Sequence, residues 1–127
     1  MNKPHKKLDV WTSALDFAQQ IYRITERFPA KEQFGIASQI RRATVSIPSN
    51  IAEGAARQTK KEFIQFLYVA KGSLSEVDTQ LEIAKGLQYL SQPDWTPARL
   101  VNSHGKLERI DRMLIGLIRS LRTKGAA

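Results

Sequence analysis

Cysteine is absent from the 127 residues, so no disulfide staples the chain and no thiolate serves as nucleophile or metal ligand. That absence fits a reducing cytoplasm. Long apolar runs are missing too: the longest, residues 113–118, falls far short of the ~20 residues that span a bilayer. Behind Lys3, Lys6 and Lys7, the acids Asp9 and Asp16 interrupt any apolar core of a signal peptide. The expectation is an unprocessed cytoplasmic protein with no membrane association. Acidic residues are scarce, 12 against 20 Lys and Arg, which leaves a net charge of +8 and a pI near 10.1. Such a balance favours polyanionic partners, RNA, DNA or an anionic membrane surface. Solubility alone accounts for it equally well until the charges are placed.

The absences extend to active-site chemistry. Histidine occurs twice, as His5 near the N-terminus and as His104. A carboxylate-bridged metal site in a helical bundle wants paired Glu-x-x-His motifs, and none is present. His104 with Glu108 is a single i, i+4 pair and reads as a helix-surface residue. No G-x-S-x-G or Ser/His/Asp set occurs. The Lys-Gly and Gly-Lys pairs at 71–72 and 105–106 lack the upstream glycine and preceding strand of a phosphate loop. The expectation is no enzyme, no cofactor and no metal.

Helical spacing, by contrast, runs through the whole chain. The central stretch, residues 39–63, reads QIRRATVSIPSNIAEGAARQTKKEF. Ile40, Ala43, Ile47 and Ile51 trace one buried face, and Pro48 falls inside that pattern. Pro48 has no N–H for the carbonyl of Thr44, which predicts a kink or a break. Gly54 offers a stop, and Thr59 with Glu62 forms a capping box for a new helix. Upstream, residues 1–8 read as a flexible basic tail, and Asp9 as the N-cap of a first helix over 10–28. Its apolar face is Trp11, Ala14, Leu15, Ala18, Ile21, Tyr22 and Phe28. A second helix spans 36–55 and a third 60–90. The third carries Phe63, Leu67, Ala70, Leu74, Val77, Leu81 and Ala84 at alternating spacings of four and three. Gly72 in its middle points to close approach of another helix, or to a kink. After a turn at 91–95, Thr96 caps a fourth helix over 97–122, with Pro97 at its first position and Trp95 stapled on Leu100. Its seam is Leu107, Ile110, Leu114, Leu117 and Leu121, with Glu108 and Arg112 as an i, i+4 pair. Residues 123–127 should fray. The fold class is all-α: an antiparallel up-down-up-down four-helix bundle over 9–122, its second helix kinked at Pro48.

Two groups of polar residues carry the candidate sites. Ser46, Asn50 and Glu53 read as a structural polar network around Pro48, with the Asn50 amide available to carbonyls left open there. Glu53 has Arg57, Arg41 or Arg42 as prospective partners. The basic residues form three clusters: Arg41 with Arg42; Arg57 with Lys60 and Lys61; and Arg109, Arg112, Arg119 and Arg122 at near-helical spacing. A charge run is usually a solvated face, yet few acids separate these three. They are the candidate nucleic-acid-binding residues. A cationic amphipathic membrane helix is the alternative for Arg109 to Arg122, but its apolar seam is needed for the bundle core. With no base-reading motif or exposed aromatic platform apparent, binding should depend little on sequence. Phe66, Tyr68, Val69, Ile83 and Leu87 lie off the seam of the third helix, which predicts a closed homo-oligomer.

The chain also resembles a known family, the four-helix-bundle proteins encoded by intervening sequences in bacterial 23S rRNA genes. The likeness is carried by Leu8-Asp9-Val10-Trp11, Phe28-Pro29, Phe34-Gly35 and Gln39-Ile40-Arg41-Arg42-Ala43. The run Ser46-Ile47-Pro48-Ser49-Asn50-Ile51-Ala52-Glu53-Gly54 makes it specific, and it continues through Phe66-Leu67 and Ala70-Lys71-Gly72-Ser73-Leu74. It covers about residues 8 to 120. The resemblance implies a ring, typically a homopentamer. It further implies a distant relationship with accessory proteins of diversity-generating retroelements, which bind nucleic acid and a reverse transcriptase. It assigns no catalytic residue. Two functions follow: an RNA-associated nucleic-acid-binding accessory protein, or a protein-interaction scaffold such as an accessory subunit for a reverse transcriptase.

Overall fold

The computed structural model describes residues 3–90 and 100–126. Four helices make up the fold: α1 (Asp9–Thr25), α2 (Ile36–Ala55), α3 (Lys60–Gly86) and α4 (Leu100–Ala126). No strand occurs among the described residues. Each helix packs on its neighbours in sequence, and α1 against α4 closes the bundle. Gly54 of α2 faces Phe63 and Phe66 of α3 while Ser46 meets Ser73, so these two helices run in opposite directions. The same holds for α3 and α4, where Tyr68 meets Arg122 and Lys71 meets Asp111.

The core follows the expected seam on α2 and, from Leu67 onward, on α3, with Phe63 only partly buried. On α4 it holds through Leu107, Ile110 and Leu114 and then passes to Ile118, which leaves the expected Leu117 and Leu121 partly buried at its edge. On α1 the buried line is turned by about one residue. Val10, Ala14, Phe17, Ile21 and Ile24 are buried, whereas Trp11, Leu15 and Ala18 are half-buried and Tyr22 is exposed. The buried set alternates spacings of four and three, the interval that keeps a straight seam against a partner helix. Asp9 is the first residue of α1, with Leu8 at the cap position; its carboxylate favours the helix N-terminus through the dipole instead. Residues Pro4–Lys7, expected as a tail, form a 3-10 turn packed on α1 and α2, with the His5 ring edge-on to Trp11 at 4.7 Å.

Pro48 does not divide α2, which stays one α-helix from Ile36 to Ala55 with Pro48 buried inside it. Asn50 is hydrogen-bonded beside it, but not to the Thr44 carbonyl that Pro48 leaves open. Its Nδ2 donates to the carbonyl of Ser46 at 2.7 Å and to Ser46 Oγ at 2.9 Å. At the start of α3 the Thr59 hydroxyl accepts the Glu62 N–H at 3.1 Å and donates to the Glu62 carboxylate at 2.9 Å. The return bond of the box therefore runs between side chains.

α3 ends four residues sooner than expected, at Gly86. The residue in the left-handed region is Gln88, with φ of 62°. Its N–H reaches the Lys85 carbonyl and the Tyr89 N–H the Ala84 carbonyl, both at 3.0 Å. This is a Schellman closure in which Gln holds the place that Gly usually takes. Replacing Gln88 by Gly should therefore stabilise the fold by about 1 kcal/mol, the left-handed penalty of an L side chain. Chemical denaturation checks this, and an unchanged midpoint would argue against strain at Gln88. Tyr89 then packs on Phe28, ring centroids 5.9 Å apart, and donates its hydroxyl to Glu32 at 2.5 Å. That bond, with some burial and the carboxylate charge, holds the Tyr89 phenol above the ordinary tyrosine range. At the other terminus α4 is helical to Ala126, past the point where fraying was expected. The turn at 91–95, the Thr96 cap and the Trp95 staple lie outside the described residues, as does the side chain of His104.

Candidate nucleic-acid interface

The packing of α1 and α2 fixes the first basic cluster. Thr25, fully buried at the end of α1, donates its hydroxyl to the carbonyls of Ile21 and Tyr22 at 2.8 and 3.2 Å. The same oxygen accepts Arg41 Nε at 2.8 Å, and the Arg41 guanidinium lies 5.1 Å over the Tyr22 ring. Arg41 is therefore a half-buried, positioned cation, while Arg42 beside it is exposed. Neither forms an ion pair among the described residues.

The second and third clusters flank one segment of α3. Arg57 pairs with Glu53 at 3.5 Å and lies 4.7 Å over the Phe66 ring. Two residues on, and so on the other side of α3, Tyr68 meets Arg122 through its hydroxyl, with the guanidinium 5.4 Å over its ring. Lys60 and Lys61 are exposed in the first turn of α3. Between α3 and α4, Arg119, Arg122, Lys71, Tyr68, Ile115 and Ile118 line a cleft of about 290 Å³. Lys71 is tied to Asp111 at 2.6 Å, so Arg119 and Arg122 are its available cations. Arg109 and Arg112 are exposed on the same helix, and the expected Glu108–Arg112 ion pair does not form among the described residues. Glu108 instead lines a separate cleft with Asp78, Asp111 and Lys71.

The three clusters do not merge into one surface. Arg41 and Arg57 are separated by most of α2, roughly 20 Å at ~1.5 Å per residue. The polar network also divides. Ser46 joins Asn50 and, across the helix pair, Ser73 Oγ at 2.9 Å, whereas Glu53 is turned to Arg57 and solvent. The apolar seam of α4, Leu107, Ile110, Leu114 and Ile118, is buried in the core. No helix among the described residues is long and apolar enough to cross a membrane, and no group of acids and histidines there is arranged to hold a metal ion.

Exposed aromatics are present after all. Phe34 is 97% exposed and Tyr22 43% exposed, both beside Arg41 and Arg42. Tyr68 is exposed against Arg122. A signal for Tyr22 exists in the sequence, because Val10, Ala14, Phe17, Ile21 and Ile24 already complete the α1 seam and leave it outside.

A family model of 23S rRNA-intervening sequence proteins matches residues 6–116. The chain belongs to that family. A solved relative is the crystal structure of a protein of unknown function from the S23 ribosomal protein family of Bacteroides thetaiotaomicron. It aligns with a TM-score of 0.75 at 24% identity, over 87% of this chain and 95% of the other. The likeness to it is one of fold. No curated protein matches the chain. For this intervening-sequence protein the family match covers the Ile47-to-Gly54 run, the Arg41/Arg42 and Arg57 clusters, and α4 as far as Gly116.

Proposed function

We propose that this intervening-sequence protein is a non-enzymatic, cytoplasmic, nucleic-acid-binding accessory protein that works on RNA as a homo-oligomer. The observation that supports it most is the cleft between α3 and α4. There Arg119 and Arg122 stand without a carboxylate partner among the described residues, next to an exposed tyrosine. Side chains at such a spot meet phosphate oxygens and stack on a sugar or base. A ring, five copies by family resemblance, would repeat each cleft around its circumference. Phosphate contacts release condensed counterions, so affinity should fall with salt by a log–log slope of roughly −0.7 per contact on single strands. Changing Arg119→Glu and Arg122→Glu together should lower affinity for unrelated RNA and DNA oligomers by about tenfold or more. It should flatten the slope by roughly 1.4, the share of two contacts. Absence of binding at low salt, or equal binding by the double mutant, would reduce these arginines to solvated charge.

A second reading rests on a different face. Val69, Ile83 and Leu87 of α3 are about half exposed, more apolar surface than the single bundle uses. Gly72 lies on the same helix with nothing within 4 Å of where its Cβ would stand among the described residues, so the close helix its presence suggests is not found among them. A second copy fits this face, and so does a protein partner such as a reverse transcriptase. Light scattering separates the two: a monomer at micromolar concentration removes the ring and leaves the face to a partner.

A further inference from the structure

We propose that the depression between the end of α1 and the start of α2 is a seat for one unpaired nucleobase of a single strand, with Phe34 as its stacking platform. The proposal rests on the nucleic-acid reading above and names the part of the ligand that this end of the bundle takes. The depression measures about 490 Å³ and is lined by Tyr22, Gln33, Phe34, Ser38, Arg41, Arg42 and Val45. Phe34 is 97% exposed among the described residues, although the fold has a buried core a few residues away. The surface around it is nevertheless held firmly. Gln33 Nε2 donates to the carbonyls of Thr25 and Phe28 at 3.1 and 3.0 Å, which ties the turn before Phe34 to the end of α1. Arg41 is held by the buried Thr25 hydroxyl through Nε and lies over the Tyr22 ring, leaving its Nη groups without a hydrogen-bond partner among the described residues.

Charge complementarity selects the occupant. A purely apolar partner would strand two guanidinium groups, and a free phosphate would make no use of Phe34 or of the open Tyr22 edge. A nucleotide uses both, its base stacked on the ring and its phosphate met by Arg42. Arg42 also lines the neighbouring groove with Gln39, Ser46, Ser73, Glu76 and Gln80, so a strand can continue past it. Duplex bases are already stacked and cannot enter, so the site takes single-stranded nucleic acid.

The test compares fluorescein-labelled oligo(A) with an abasic oligomer of equal length, the same phosphates without bases, on the wild type, Phe34→Ala and Phe34→Trp. Stacking of one base is expected to favour oligo(A) over the abasic strand by about tenfold. Phe34→Ala should lower that ratio severalfold while leaving abasic affinity and its salt slope unchanged, and a ratio equal to the wild type's would overturn the seat. Phe34→Trp should keep the ratio, and its added fluorescence should be quenched by oligo(A) alone. Binding of both strands with no base preference in the wild type overturns this seat and leaves the phosphate reading standing. Absence of all binding sinks both. A smaller assembly for Phe34→Ala by light scattering, with the ratio intact, would make Phe34 a contact between copies and overturn the proposal.

Discussion

Replacing Phe17 by Ala should destabilise the protein by about 3–5 kcal/mol, the usual toll for emptying a large buried aromatic site. Phe17 is fully buried and is one of the largest side chains in the core, facing inward from the middle of α1. Domains of this size hold only ~5–15 kcal/mol in all. The substitution therefore removes a large share of the total, and the thermal midpoint should drop by more than 10 °C. Calorimetry on Phe17→Ala and Phe17→Leu gives the check. Leu retains much of the volume and should lose far less. A Phe17→Ala midpoint within a few degrees of the wild type would mean that the bundle re-packs around the cavity.

Gly54→Val is expected to cost about 3 kcal/mol, at the upper end of what over-packing does. A Cβ at Gly54 would stand 2.7 Å from Phe66 Cβ and 2.9 Å from Phe63 Cδ1, and 3.3 Å from the Phe63 carbonyl oxygen. The first and last of these contacts are anchored at the backbone of α3, so no simple rotamer change relieves them. Gly54→Ala should cost less than Gly54→Val, and Gly72→Ala, with nothing within 4 Å, should gain up to about 1 kcal/mol of helix propensity in the isolated chain. Urea denaturation of the three variants measures the order. Should Gly54→Val unfold at the wild-type midpoint, α2 and α3 approach less closely than a 2.7 Å contact at this position requires.

Glycine chemistry shows how much the sequence discloses and where it stops. Gly54 reads as a helix stop, but its necessity comes from the two phenylalanines that cross it, and a linear pattern does not say which helix lies opposite. The seams of α2 and α3 are legible because their helical intervals hold over several turns, whereas on α4 the line shifts after Leu114 from Leu117 to Ile118. On α1 the aromatic residues Trp11 and Tyr22 pull the apparent face aside, and Phe17 goes unread until the interval from Val10 to Ile24 is followed. The end of α3 is hidden for a conformational reason: Gln88 adopts the left-handed region without the glycine that would announce it. At Pro48, of the kink or break that the sequence predicts, the break does not occur: the residue is buried in a helix that stays continuous. The basic residues are all visible in the sequence. Their division into separate patches is not, because it depends on which sides of α2 and α3 they take. The Thr25 hydroxyl, which positions Arg41, carries no sequence signal at all.

The arrangement of the helix pairs has a kinetic side. α2 and α3 are joined by a four-residue turn, carry the capping box and meet through Gly54, so their contacts close short loops. α1 and α4 meet across most of the chain, with Lys106 reaching Asp16 at 2.6 Å and Gln20 at 3.2 Å. Closing so long a loop costs more entropy and comes later on the path. The α2–α3 hairpin is thus the expected folding nucleus, and α1 docking on α4 the last step before the native state. Gly54→Val should then show itself as slower refolding, and a break at Lys106, by Lys106→Ala, as faster unfolding with an unchanged refolding rate. A chevron in which Gly54→Val alters only the unfolding arm would reverse that order.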